Sequence, residues 1–444
     1  MKSLRVGAAT VDISPQKPQF LFGYPHVERY SSGIHDPIQS NALYLRCESA
    51  EGRLTGEAMF IANDIIFVDK QITHEVRTRI QRQTGISPSS IMVSATHTHS
   101  APVIVDYASN RDDPVVPAAD PAYRQFLIDS IVRAGVTAAE GAVPASLGFG
   151  VTQVEGVGTN RRDPHGPADH EVPIVVVRDH NNRPLACMLV YSMHPTVLHQ
   201  DSTLVSADFP AFARRYLCSR AFGGPIPVIC HTGTAGNQSP RHVTRANTFA
   251  EAERLGSLLG EAVQRALPRL TYHSSVHIQV AQELVDLPRR DFPDPGLAQQ
   301  MRDDAAERLE ELRRREAARQ EIRTAETDLF GADEVLTLAR AARQGVLEPF
   351  YQRCLPAEVQ VIAVGPHRYV GWAGELFVEY GLELKQRAAG AFGITMANGE
   401  LQGYVVTEQA AAEGGYEASN ALFSWRSGPL LLDAALRALK RVGR

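Results

Sequence analysis

The strongest constraint in this sequence is a series of short apolar runs, each followed by an amphipathic or glycine-containing segment. Runs of this length and composition, bounded by turn residues, read as buried strands. Met59 to Ile66 is one; Val68, Ile72, Val76 and Ile80 then repeat every four residues up to Gly85, which predicts a helix ending there. Ile91 to Ala95 is the next strand. Asp120 before Pro121 opens a second helix, with Leu127, Ile131 and Gly135 along one face. Glu171 to Val177 and Leu185 to Tyr191 are strands joined by a turn through Asp179 and Asn182, and Pro227 to Cys230 is another. Thr248 with Glu251 forms a capping box for a helix that turns Ala252, Leu255, Leu259 and Val263 inward. Strand signals return at Val276 to Glu283, Val359 to Val364 and Tyr369 to Trp372. No GxGxxG loop and no strict strand–helix–strand rhythm is present. The fold class is therefore α/β, with mixed sheets packed in layers and flanking helices.

Residues 296–345 differ from the rest. They are dense in Glu, Arg, Ala and Gln, with opposite charges three or four apart, which predicts one long exposed helix and a shorter one broken near Gly331. This reads as a charged helical insertion in one domain spanning residues 1–444. Charge excludes nucleic acid as a partner: the net formal charge is -5, and Arg313, Arg314 and Arg315 are flanked by glutamates. The five cysteines form no CxxC pair, which argues against a disulfide framework and a cysteine-held metal. Neither a signal-peptide core nor a membrane-spanning apolar run is visible, so a cytoplasmic location is expected. Nothing in the sequence specifies an oligomeric state.

Chemistry concentrates in a few segments. His97 and His99 sit two apart in Ser-Ala-Thr-His-Thr-His-Ser, after a strand and without apolar neighbours; on a strand they share a face. His194 ends a second apolar run, and histidines leaving adjacent strand ends commonly assemble zinc sites. Its alternative is a satisfied buried histidine. The loop from His231 to Pro240 is rich in small residues that let backbone N–H groups approach a ligand, with Ser239 at its far end. It is not a GxSxG elbow. Glu375 follows a strand at the expected start of a helix, where an acid also serves as a cap. Tyr404 and Tyr416 lie in a stretch too glycine-rich for one helix.

In this order, these segments resemble the catalytic domain of the neutral/alkaline (non-lysosomal) ceramidases. The opening from Val6 to Ser14, the segment Ser32 to Asp36, Gly158-Thr-Asn-Arg161 and Ser206-Ala-Asp208 carry the same resemblance, which runs from about residue 5 to 430. It implies one Zn2+ per chain, held by His97, His194, Glu375 and Tyr404, with His99, Arg161, Ser239 and Tyr416 around the scissile bond. The implied reaction is hydrolysis of an N-acyl amide in a small or lipid-like substrate: zinc activates water, His99 moves the proton, and Tyr416 and Arg161 bind the carbonyl. Ser239 is either a nucleophile or an orienting group. The alternatives on the same scaffold are a zinc-dependent esterase, lactonase or peptidase, and a non-catalytic binding protein. Some positions depart from the family pattern. Ala101-Pro-Val103 follows the HTHS motif where the family has GPGG, Arg241 stands where the family has asparagine, and Tyr416-Glu-Ala-Ser-Asn420 replaces YEGAST. No C-terminal β-sandwich domain is expected, and the substrate need not be ceramide.

Overall fold

The computed structural model describes residues 3–442. The run from Met59 lies within strand Leu54–Asn63, whose last six residues are all buried. Its two faces enter different cores: Met59 and Ile61 pack with helix residues Ile72, Val76 and Ile131, whereas Phe60 and Ala62 pack with a second sheet. Strand alternation thus splits one apolar run between two layers, which is why the run is continuous rather than alternating.

The larger sheet runs in the order Val228–Thr232, Pro184–Tyr191, Glu171–Asp179, Val143–Gln153, Ser3–Asp12, Gln39–Glu48, Leu54–Asn63, Ile91–Ala95, with Thr271–His273 branching from Val143–Gln153. Its inner pairs are antiparallel. The pair at each edge is parallel. Twist curls this sheet until its edges touch: Ser94 Oγ and His231 Nδ1 are 2.8 Å apart, and Thr232 Oγ1 donates to the Thr96 carbonyl at 2.7 Å. The smaller sheet, Ile278–Val285, Ala357–Val364, His367–Trp372 and Ala391–Ile394, faces it. Phe60, Met92 and Ile229 meet Ile362, Tyr369 and Ile394 between them. Helices Lys70–Thr84 and Pro121–Glu140 cover one part of the larger sheet, and Phe209–Tyr216 and Phe249–Ala266 another. Val378–Arg387 and Ser427–Val442 cover the smaller sheet. The result is the expected layered, mixed α/β architecture.

The charged stretch is a helical hairpin, Pro295–Arg314 and Arg319–Arg343. The expected break at Gly331 is corrected: the chain turns before Arg319, where Glu316 takes a φ of 51°, and Gly331 sits inside the second helix. Gly331 is buried there for a packing reason. A Cβ on it would lie 3.0 Å from Ser419 Cβ and 3.2 Å from Tyr416 Cα, so its hydrogen lets the helix approach the Tyr416–Ser419 turn. Nor is the hairpin simply a solvated excursion: Ala325, Thr327, Glu334, Val335 and Leu338 are buried. Among the described residues no helix is long and apolar enough to cross a membrane.

Candidate metal centre and adjoining cavity

Strand ends deliver the histidines. His97 lies two residues beyond strand Ile91–Ala95, in a left-handed backbone conformation (φ 69°) fixed by donation of its N–H to the Ile65 carbonyl at 2.9 Å. A β-branched or bulky residue rarely adopts this conformation, and its presence marks a locally strained turn. The shared face of His97 and His99 therefore comes from this turn and not from strand alternation. His194 follows Pro184–Tyr191, the strand paired in parallel with the edge strand Val228–Thr232. The curl of the larger sheet closes the distance between the two strand ends. Glu375 arrives from elsewhere. It begins no helix, as the cap reading expected; the helix starts at Val378. Instead Glu375–Leu376 pairs in parallel with Tyr404–Val405, setting Glu375 opposite Tyr404.

These side chains converge. Glu375 Oε2 lies 3.1 Å from both His97 Nε2 and His194 Nε2, and His99 Nε2 lies 3.4 Å from His97 Nε2. His97, His99 and His194 present nitrogen atoms that all fall within 4.8 Å of one another. The His194 and Tyr404 rings stack at 6.5 Å. His97, His194, Glu375 and Tyr404 are buried.

The hydrogen bonds around the cluster decide which atoms face its centre. His97 Nδ1 bonds the Ile66 carbonyl at 2.8 Å, His99 Nδ1 the Gly23 carbonyl at 3.0 Å, and His194 Nδ1 the carbonyls of Ala235 and Gln238 at 2.6 and 3.0 Å. A carbonyl only accepts, so each Nδ1 carries the proton and each Nε2 turns a lone pair inward when the ring is neutral. Burial and then the Arg161 charge lower His194 to about 4. Burial and the neighbouring imidazoles hold His99 well below its ordinary value. Burial alone would raise Glu375, but His97 and His194 keep its carboxylate ionised. Inward lone pairs beside a carboxylate oxygen repel one another unless a cation lies among them. Tetrahedral zinc, with bonds of about 2.0–2.1 Å, sets its ligand atoms roughly 3.3 Å apart, close to the 3.1 Å from Glu375 Oε2 to His97 Nε2 and to His194 Nε2. The donor set fits a divalent cation.

A second ring of groups surrounds the cluster. Arg161 donates to Glu417 Oε1 at 2.6 Å and to the Gly236 carbonyl at 2.7 Å. Its guanidinium lies 5.2 Å from the Tyr404 ring centre and 5.8 Å from that of Tyr416. Burial works against this charge, but Tyr404 and Glu417 more than offset it and raise the Arg161 pKa. Burial raises Tyr404 and Tyr416 as well, Arg161 opposing it in both. In the small-residue loop Gly236 is essential for packing: a Cβ there would lie 2.6 Å from the Glu375 carbonyl oxygen. The Gly236 N–H donates to Leu376 O at 2.9 Å, tying the loop to the strand that carries Glu375. Buried Ser239 accepts from the Arg241 N–H at 3.2 Å and bonds no imidazole among the described residues.

All eight residues singled out in the sequence therefore lie in one neighbourhood. His99, Arg161, Ser239, Tyr404 and Tyr416 line a small cavity together with Tyr24, Thr196 and His199. Arg323, Thr327 and Phe330 of the helical hairpin close it. An outer cavity of about 730 Å³ continues past Arg161 and Tyr416, between the hairpin and the segment Thr407–Ser419. Sequence reasoning missed Glu417, Tyr24, His199 and the hairpin residues. No local motif marks them; they reach the site by packing alone.

Fold and site define a layered α/β protein with a buried histidine–carboxylate cluster at converging strand ends. Residues 4–221 match the N-terminal region of the neutral/alkaline non-lysosomal ceramidase family. The chain is 24% identical over 242 residues to the neutral ceramidase of Mycobacterium tuberculosis, covering 50% of this chain and 36% of that protein. With the Pseudomonas aeruginosa neutral ceramidase it shares 22% identity over 253 residues, or 53% of this chain and 37% of that one. The matched stretch thus spans about a third of these relatives' length. The crystal structure of the Pseudomonas aeruginosa neutral ceramidase has the same fold, with a TM-score of 0.73 at 18% identity, over 99% of this chain and 75% of that one.

Proposed function

We propose that this protein is a zinc-dependent hydrolase of a linear N-acyl amide, acting on a substrate other than ceramide. The observation that carries the reading is the cluster itself: Glu375 Oε2 at 3.1 Å from two imidazole nitrogens whose other nitrogens are tied to carbonyls. His97, His194, Glu375 and Tyr404 would hold one Zn2+ per chain. When bound, the ion supplies a Lewis acid that polarises an amide carbonyl and lowers the pKa of water.

The remaining steps belong to this chain's residues. His99 Nδ1 is committed to the Gly23 carbonyl, so Nε2 is the atom that takes a proton from the attacking water and returns it to the departing nitrogen. Burial and the neighbouring imidazoles keep this ring neutral before reaction, so its Nε2 lone pair is free. Tyr416 and Arg161 donate to the carbonyl oxygen as its charge grows, in a cavity that excludes most solvent. Glu417 keeps the Arg161 guanidinium in place. Ser239 orients water and substrate; with no imidazole bonded to it, it lacks the base a serine nucleophile needs.

The substrate departs from ceramide because the walls do. The outer cavity sets Arg162, Asp163, Arg308, Asp328, Glu379 and Glu413 among apolar groups such as Met301 and Phe377, and those charges would desolvate poorly against two long alkyl chains. Cys187, Cys218, Cys230 and Cys354 are free thiols, which suits a reducing compartment such as the cytoplasm. The test is metal content together with turnover. Protein purified without added metal should carry about one zinc per chain, and a chelator should abolish release of amine from N-acyl amides. Full hydrolysis by metal-free protein would end this reading. Faster turnover of acyl-matched esters than amides would convert it to an esterase.

A further inference from the structure

Three arginines, Arg161, Arg241 and Arg323, line the small cavity beside His99, and no carboxylate does. Two of the three are neutralised from behind: Arg161 by Glu417 at 2.6 Å, and Arg323 by Glu326 at 3.0 Å. Arg241 is different. Its guanidinium has one side-chain hydrogen bond, from Nη1 to Thr324 Oγ1 at 3.5 Å, and no carboxylate of the described residues lies within ion-pair distance. It is half-buried and lies where the small cavity meets both the 730 Å³ cavity and a further one of 480 Å³ along the hairpin.

A guanidinium cannot shed its charge at neutral pH and desolvates at a cost unless an anion faces it. Burial, then Arg161, lowers Arg241 to about 10, which leaves it charged. The same positive field reaches His199, which burial and then Arg323, Arg319 and Arg241 hold well below its ordinary value. The nearest acids act on Arg241 only at a distance: Glu417 is already bound to Arg161 and Arg162, and burial holds Asp328 above the usual carboxylate range. The planar fork of an arginine matches a carboxylate in a bidentate pair. Arg241 also follows Ser239 by two residues, which sets it beside the reacting groups.

We infer that Arg241 is a specificity-determining residue that receives a carboxylate of the substrate close to the scissile amide. The substrates would be N-acyl amides bearing an acid group, such as N-acylated amino acids. This inference rests on the amide-hydrolase reading and is tested so that the two fail separately. Two matched pairs serve as probes. N-octanoylglycine is compared with N-octanoylethanolamine, which places the charge on the amine side. N-octylsuccinamic acid is compared with N-octyl-4-hydroxybutanamide, which places it on the acyl side.

In one pair the zinc-loaded wild-type protein should favour the carboxylate about 30-fold in kcat/KM (roughly 2 kcal/mol at 1.4 kcal/mol per tenfold). Arg241→Gln should collapse that ratio to within threefold of unity, mainly by raising KM for the acid, and Arg241→Lys should restore part of it. Equal turnover within both pairs by the wild-type protein overturns the inference and leaves amide hydrolysis standing. So does an Arg241→Gln protein that keeps the wild-type ratio. If none of the four amides is cleaved by zinc-loaded protein, both readings fall. The wild-type ratios need no variant, so a misfolded Arg241→Gln protein would not protect the inference.

Discussion

The histidine cluster and the helical hairpin face each other across one small cavity, yet they are built on opposite principles. Each imidazole of the cluster is fixed twice, by the strand end or turn that carries it and by a hydrogen bond from Nδ1 to a backbone carbonyl. The hairpin reaches the cavity with Arg323, Thr327 and Phe330, while elsewhere it carries exposed ion pairs such as Arg313–Glu310 and Arg315–Glu321. Buried, carbonyl-anchored groups hold geometry to within tenths of an ångström, as chemistry demands. A helix laid over the site sets shape and charge, and these can change without disturbing the cluster. On the proposed reading, reaction type resides in the first region and substrate choice at the cavity rim, where the hairpin's Thr324 meets Arg241.

This contrast breaks most sharply at Glu375. Glu375→Gln should lose zinc and about a thousandfold or more in kcat/KM, read by metal analysis and amine release on the same sample. Zinc retention with near-normal turnover would remove the carboxylate from the proposed ligand set. His99→Ala should keep the metal and lose about 10²–10⁴-fold in kcat. Should zinc leave with His99, that histidine is a third imidazole ligand, a role its 3.4 Å separation from His97 also allows, and the proton carrier lies elsewhere.

Gly331→Leu tests the seam between the regions. It should cost about 1–3 kcal/mol of stability by overpacking and displace Tyr416 while leaving zinc content at wild-type level. Unchanged stability by denaturant titration would show that the helix does not press on the Tyr416 turn as its 3.0 Å contact demands. The smallest effect belongs to the hairpin's outer face. Arg313→Ala should alter stability by no more than about 0.5 kcal/mol, since exposed ion pairs gain little. A larger loss in thermal unfolding would mean that the outer charges hold the hairpin closed.

Much of this was legible in the chain. Apolar runs named the strands, Asp120-Pro121 and Thr248 named helix starts, and both caps form: Asp120 accepts from Ala122 N–H, and Thr248 Oγ1 from Glu251 N–H. The reciprocal half of the capping box does not, because Glu251 turns to the Arg245 N–H and to Arg254. Glu375 shows the limit of local reasoning in the other direction. An acid ahead of a helix reads as a cap, and only its pairing with Tyr404 turns it towards the histidines.

What the sequence determined by itself was therefore many of the elements, though not the central strands Ser3–Asp12, Gln39–Glu48 and Val143–Gln153, and the types of side chain able to hold a cation, because periodicity and donor chemistry are local properties. The curl that brings the two edge strands together, the Glu375–Tyr404 pairing and the burial of Gly331 against Tyr416 were decided only in three dimensions. Each depends on contacts between segments far apart in the chain, and no window of neighbouring residues contains that information.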